Sequence, residues 1–242
     1  MTVKGRDKMT TPILISHYSD VLCVWAYVAQ VKLDELRAQF GDGVEIKHHF
    51  TPTFGCTEHR IGEGWKDKGG FDGFSKHVVQ VCESFPHVEI NNAVWKACRP
   101  KSSASTHCFI KAVQLLEDEG IISGQPLEAY QGRTLCEEFV WRVRLAFFVE
   151  AKDVSQHDVL FDIASSLDIK SDAIEERLNN GAAIASLCRD MELKESLHIE
   201  GSPTYSLNGG RQKLYGNVGY RILEANVLEL KQNKNHERAS WC

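Results

Sequence analysis

The sequence predicts an α/β fold in which a βαβ unit and a ββα unit are separated by a large helical block. Near the start, a short apolar run and an alternating run flank one helical stretch. Helical periodicity then dominates from Ala104 to about Gly181, and a strand, turn, strand and helix pattern closes the chain. At 242 residues the chain can bury a sizeable core, as one elaborated domain or as a smaller one carrying an insertion.

Pro12-Ile13-Leu14-Ile15-Ser16-His17-Tyr18 is a short apolar run closed by polar residues and reads as a buried strand. From Leu22 to Phe40 the apolar positions Val24, Val28, Val31, Leu33, Leu36 and Phe40 recur at helical steps until Gly41-Asp42-Gly43 stops them. Val44 to Phe50 alternates like a second strand, and a strand-helix-strand unit of this length implies a parallel pair. Thr51 to Gly73 is rich in Gly, Thr and charge and reads as a long loop. Phe109, Val113 and Leu116 form one apolar helical face, and Leu135, Phe139, Val143 and Phe147 another. Shorter helices are expected over Asp153 to Leu167, Ser171 to Asn180 and Ala182 to Leu197. Pro203 to Leu207, the turn Asn208-Gly209-Gly210 and Gln212 to Tyr215 then read as a hairpin. Ile222, Ala225 and Leu228 to Leu230 mark a last helix, and the polar tail from Asn233 to Cys242 is expected to fray.

Hydrophobic residues at 43% and charged residues at 25% exclude a disordered or fibrous chain. A net charge of -5 with no basic stripe argues against a nucleic-acid partner. The opening MTVKGRDKMT is polar, and Ile13 to Ile15 is too short for a signal-peptide core or a membrane span, so a cytoplasmic protein without a membrane partner is expected. The eight cysteines include no CxxC pair, and in a reducing compartment most should be free thiols. Cys82, Cys108, Cys136 and Cys188 lie among apolar helical residues and are expected to pack in the core. The histidines lack the paired spacing of a zinc site, and no metal is expected.

Chemistry is concentrated where the first strand passes into the first helix, at Ser19-Asp20-Val21-Leu22-Cys23-Val24-Trp25-Ala26-Tyr27. The thiolate is the nucleophilic form of cysteine, and the free N–H groups of a helix start lower a thiol's pKa, so Cys23 is expected to be reactive, with Asp20 opposing the effect. This segment resembles the DsbA-like family of thiol-disulfide oxidoreductases in the thioredoxin-like superfamily, particularly cytoplasmic members with Ser-Asp followed by Cys-x-Trp-Cys-Tyr. Here Ala26 stands where those members have their second cysteine. Gly201-Ser202-Pro203-Thr204-Tyr205 is similar to the family segment that places a cis-proline opposite the active cysteine.

The resemblance spans residues 12 to 231 and implies a thioredoxin-like fold with an all-helical insertion. Residues 12–50 would form its βαβ half, 51–197 the loop and inserted helical domain, and 198–231 its ββα half. It implies Cys23 as the catalytic residue, with Ser202 and Pro203 presenting backbone to glutathione or to a protein disulfide substrate. Trp25 is foremost a packing residue that could also touch substrate, and Asn217, with Lys66 or Lys68, could meet the glutathione carboxylates.

Ala26 cannot resolve a mixed disulfide, so Cys23 must exchange with glutathione or another outside thiol, or a remote cysteine such as Cys56 must resolve it. The expected activity is therefore monothiol thiol-disulfide exchange. Two alternatives stand beside it. One is a glutathione-dependent isomerase or transferase, because kappa-class glutathione transferases and 2-hydroxychromene-2-carboxylate isomerases resemble the chain but carry a serine near the place of Cys23. The other is a non-catalytic thioredoxin-like binding module.

Overall fold

The structure, a computed structural model, describes residues 11–232. The expectations for the opening MTVKGRDKMT and for the tail from Asn233 to Cys242 lie outside the described residues.

β1 (Ile13–Ser19) and β2 (Val44–Phe50) pair in parallel, from Ile13 opposite Val44 to Ser19 opposite Phe50. β3 (Thr204–Leu207) runs antiparallel beside β1, and β4 (Gln212–Tyr215) beside β3, giving the order β2-β1-β3-β4. β1 thus has a neighbour on each side, which fixes the C-terminal end from which the chain leaves towards Cys23. The hairpin turn falls where Asn-Gly-Gly signals it. Asn208, Gly209 and Gly210 all have positive φ, a conformation that glycine adopts freely and Asn tolerates.

The crossover between the parallel strands differs from the single helix expected from Leu22 to Phe40. It consists of α1 (Val24–Val28) and α2 (Gln30–Phe40), joined at Ala29. At the join the Lys32 N–H reaches back only three residues, to the Ala29 carbonyl at 3.0 Å, so a tight turn replaces the helical ladder. Val31, counted on the apolar face from sequence, is exposed. Leu33 and Leu36 of α2 pack with Ile13, Ile15, Tyr205 and Leu207 of the sheet and with Leu223 and Val227 of α9 (Tyr220–Gln232).

Between β2 and β3 lie α3 (Gly70–Glu83), α4 (Ala104–Asp118), α5 (Leu135–Phe148), α6 (His157–Ser165), α7 (Ser171–Asn179) and α8 (Ala182–Ser196). This is the helical insertion the sequence predicts. The expected long loop from Thr51 to Gly73 is in part regular. It holds a π-helical turn over Glu58–Glu63, a 3-10 turn over Lys66–Lys68 and the start of α3. Its glycines permit close backbone approach rather than disorder: a Cβ at Gly73 would sit 1.8 Å from the Lys68 carbonyl oxygen, closer than any two such atoms come.

The insertion has its own aromatic centre. Phe109 of α4 stacks on Phe139 of α5 with ring centroids 5.7 Å apart, and Trp95 meets Phe147 edge-on at 5.0 Å. Burying a phenylalanine of this kind contributes about 1.5–3 kcal/mol, which anchors α5 against α4. The N-terminus of α5 is closed by a capping box: the Glu137 N–H donates to Thr134 Oγ1, and the Thr134 N–H donates to the Glu137 carboxylate. α5 also carries the charged side chain of Arg144 into the interior, where it meets the end of β1.

Candidate active site around Cys23

β1 ends at Ser19 and α1 begins at Val24, so residues 20–23 form a four-residue bend across the end of the sheet. Asp20 shapes this bend. Its Oδ1 accepts the Leu22 N–H at 2.9 Å, and its backbone carbonyl accepts the Cys23 N–H at 3.1 Å. An Asp side chain bonding the N–H two residues on is a compact local turn, and it presents Cys23 at the N-cap of α1.

The Asp20 carboxylate is fully buried and collects donors from two other places in the chain, with His107 beside it. Oδ2 accepts the Phe54 N–H at 2.8 Å and the Ser103 hydroxyl at 2.7 Å, while His107 Nε2 lies 3.5 Å from Oδ1. His107 Nε2 also accepts the Val21 N–H at 3.0 Å. Burial alone would push the Asp20 carboxyl up, but His107 and the hydrogen bonds from Phe54 and Ser103 outweigh it and hold the group below the ordinary carboxylate range. Asp20 thereby ties β1 to the loop after β2 and to the start of α4.

The distant Ser202-Pro203 segment closes over the same bend. The Ser202–Pro203 peptide is cis. The Asp20 N–H donates to Ser202 Oγ at 2.8 Å, and the Cys23 thiol donates to the Ser202 carbonyl oxygen at 3.2 Å. Pro203 is buried, and its carbonyl accepts the Gly216 N–H at 2.8 Å, which attaches the end of β4 to the site. The structure therefore brings together Cys23, Ser202 and Pro203.

Burial opposes the helix-start effect at Cys23. The thiol is 6% exposed, and burial pushes it above its ordinary value. Ser202 and the N–H groups of Ala26 and Trp25 pull it back, Asp20 adds to the rise, and burial prevails. Sequence position at a helix start does not reveal how deeply that start is buried.

The other expected residues lie further out. Trp25 is 37% exposed and meets Phe85 edge-on at 6.4 Å, so it packs on one side and faces solvent on the other. Ala26 is buried. Asn217 accepts a hydrogen bond from the Lys32 ammonium, which also donates to the Val218 carbonyl at 2.6 Å, so Asn217 is tied to α2. Lys66 and Lys68 are exposed in the 3-10 turn, with the Lys68 ammonium 5.0 Å from the Trp65 ring.

Cys56 is exposed, and the seven cysteines among the described residues are all free thiols. Cys82 and Cys136 are buried as expected, Cys108 is only partly so, and Cys188 is exposed. Cys188 is therefore a surface thiol rather than a core residue, because its side of α8 faces solvent.

Sequence reasoning missed Ser103, His107 and Arg144 as neighbours of the site. Each is a polar residue in or beside an otherwise apolar helical face and is buried. A charged residue within Val143-Arg144-Leu145-Ala146-Phe147 is the signal that could have drawn attention to it. Cavity volume points elsewhere. A cavity of about 1060 Å3 lies between β2 and helices α4, α5 and α8, and Cys23 is not among its lining residues. Residue chemistry rather than volume locates the candidate site, because Cys23 is where a thiol meets the cis Ser202–Pro203 peptide.

Comparison with known proteins agrees with this architecture. Residues 127–227 match the model of the DSBA-like thioredoxin domain. A Nitrosomonas europaea protein described as a candidate protein disulfide isomerase is similar with a TM-score of 0.69 and 14% identity, over 93% of this chain and 99% of that one. The cytosolic disulfide reductase DsbM from Pseudomonas aeruginosa, solved with GSH, gives 0.62 and 18% over 90% of this chain and 100% of that one. A 2-hydroxychromene-2-carboxylate isomerase gives 0.56 and 16% over 93% and 100%.

Proposed function

We propose that this chain, which has the DsbA-like thioredoxin fold, is a thiol-disulfide oxidoreductase acting through the single active-site cysteine Cys23 with glutathione as co-substrate. The observation that carries the reading is the placement of the Cys23 sulfur 3.2 Å from the Ser202 carbonyl at the cis Ser202–Pro203 peptide, with Ala26 where a resolving cysteine would stand. A glutathione-bound neighbour of the same fold supports the choice of thiol. Division of the chain into a βαβ half at 12–50, an insertion at 51–197 and a ββα half at 198–231 is part of the same reading.

In the first step the Cys23 thiolate attacks one sulfur of a mixed disulfide between glutathione and substrate. The new bond is Cys23–S–S–glutathione, and the substrate leaves as a thiolate that takes a proton from water. In the second step a glutathione thiolate attacks the glutathione sulfur of that adduct. Glutathione disulfide leaves and the Cys23 thiolate is restored. Over the two steps one free glutathione is oxidised into glutathione disulfide while the substrate sulfur of the mixed disulfide is reduced to a thiol, and no second protein thiol is needed. Extended backbone of the substrate would lie along Ser202, Trp25 would offer its exposed ring to the bound chain, and Asn217 would lie near a carboxylate.

A second reading is favoured by the same hydrogen bond. A buried Cys23 that stays protonated has one S–H, and turning it from the Ser202 carbonyl to the thiolate of bound glutathione would serve an isomerase or transferase reaction. Incubation of the protein with glutathione disulfide, followed by intact mass and peptide mapping, tests the first reading. One glutathione on Cys23, absent from Cys23→Ser, is expected. Glutathione carried at another site by both proteins would overturn it. Glutathione-dependent isomerase activity that survives Cys23→Ser would establish the second.

A further inference from the structure

Arg144 of α5 is 1% exposed and reaches the end of β1 and the start of α2. Its hydrogen bonds go to neutral oxygens: Nη1 donates to Gln30 Oε1 at 2.9 Å and Nη2 to Ser19 Oγ at 3.2 Å. Its Nε is buried without a partner, and no carboxylate comes within ion-pair distance of it among the described residues. A guanidinium removed from water without an anion is expensive, and folded proteins ordinarily pair such a group.

The acidic groups around it narrow the choice of partner. Cys23, Tyr205, Asp20 and Asp34 are those whose charge acts on Arg144. Asp34 is already engaged by Arg133 at 3.3 Å and by Arg37 at 3.5 Å. Asp20 is occupied by Leu22, Phe54, Ser103 and His107. Tyr205 is fully buried with an unpartnered hydroxyl, and burial pushes its phenol well up, so it stays neutral. His17 and His48 face the same layer from β1 and β2, and an imidazole supplies no anion, while burial lowers both and so disfavours a second cation there. Burial also pulls Arg144 down, to about 10, which leaves it charged at neutral pH.

We propose that Arg144 is the buried counter-charge for anionic sulfur at Cys23, a positioning residue that stabilises the thiolate from behind while substrate approaches from the solvent side. Ser19, which accepts the Arg144 Nη2 bond, is the last residue of β1, four before Cys23, so the contact fixes the guanidinium to the strand end from which the Cys23 bend departs. The inference deepens the thiol-exchange reading and rests on it for its biological use. Its test needs no glutathione, so the two can fail separately.

The measurement is the rate at which a small neutral alkylating reagent modifies Cys23, followed by peptide mass across a range of pH in the full chain with Arg144→Gln or Arg144→Lys. An opposite charge nearby shifts an acid by roughly one to three units, so Arg144→Gln should slow alkylation near neutral pH by about tenfold or more, and Arg144→Lys should restore most of the rate. A merely structural role predicts the reverse sign, because loosening would expose Cys23 and speed its modification. An unchanged or faster rate in folded Arg144→Gln would overturn the proposal. A second measurement leaves Arg144 in place. Cys23→Asp, which sets a permanent anion at that position, should unfold at a denaturant midpoint no lower than Cys23→Asn at neutral pH, and a clearly lower midpoint would also overturn it.

Discussion

The Cys23 thiol donates to the Ser202 carbonyl oxygen at 3.2 Å, across 179 residues of sequence. The same serine accepts the Asp20 N–H on its hydroxyl at 2.8 Å, so one residue on the cis-proline segment holds both ends of the Asp20–Cys23 bend. A sulfur that donates carries its proton. The resting site is therefore a thiol in a preformed cradle, and its chemistry is governed by what removes that proton.

The pH dependence of Cys23 follows directly. Burial places the thiol above its ordinary value, so only a small share is thiolate near neutral pH. Alkylation of Cys23 should rise by about tenfold per pH unit from neutral pH upwards, without levelling before the ordinary cysteine value of about 8.5. Peptide-resolved alkylation at a series of pH values checks this, and a plateau already reached at neutral pH would contradict it.

Asp20 makes an opposite prediction for stability. Its folded-state value lies below the unfolded value of about 3.9, so the carboxylate's contribution is complete above that value and is lost as pH falls through the folded one. Asp20→Asn turns an amide N–H toward the Phe54 N–H and the Ser103 hydroxyl, or leaves them unpaired. Breaking a buried charged network of this kind costs about 3–5 kcal/mol. Denaturant unfolding at neutral pH should show that loss, and the difference between the two proteins should shrink on acidification. In any Asp20→Asn protein that remains folded, Cys23 should be alkylated faster, because a charge that raises its pKa has gone.

Much of this was legible in the sequence, and the gaps have physical causes. The strands were readable because alternation and apolar runs in Ile13–Ser19 and Val44–Phe50 are dictated by burial of one sheet face. The pairing of Cys23 with Ser202 and Pro203 was reachable only through family resemblance, since no local pattern links residues so far apart. The helical setting of Cys82 is legible, but the start of α3 reads as loop, because Gly69 and Gly70 serve positive φ and Gly73 a close backbone approach rather than a flexible segment. Cys188 was misplaced because apolar neighbours along a helix do not reveal which side it turns to solvent. Arg144 went unnoticed because a buried, unpaired charge is a property of the assembled layers α2, α5 and β1, not of any one segment.

Accessibility separates the remaining thiols. Cys56 and Cys188 are exposed, whereas Cys82, Cys98 and Cys136 are buried, and burial pushes these three thiols upwards. Under native conditions a bulky maleimide should label Cys56 and Cys188 well before the other three, as read by peptide mass. Cys56→Ser should leave the glutathione adduct on Cys23 intact, and a slower turnover in that variant would identify Cys56 as a resolving thiol.

Restoring the absent cysteine tests the geometry of the bend itself. Position 26 lies in the first turn of α1, where the Ala26 N–H donates to the Cys23 carbonyl at 3.1 Å, so the two side chains leave the same short turn. Ala26 is 1% exposed, and a thiol there would be sheltered with Cys23 rather than free in solvent. Ala26→Cys should therefore form an internal disulfide with Cys23 under mild oxidation, seen as the loss of two hydrogens by mass and as protection of both residues from alkylation. With that bond available, attack by the new thiol releases glutathione from the Cys23 adduct, so the adduct should become short-lived and dithiol exchange should appear. If both thiols of oxidised Ala26→Cys stay open to alkylation after unfolding, the bend does not bring positions 23 and 26 together as an oxidoreductase site requires.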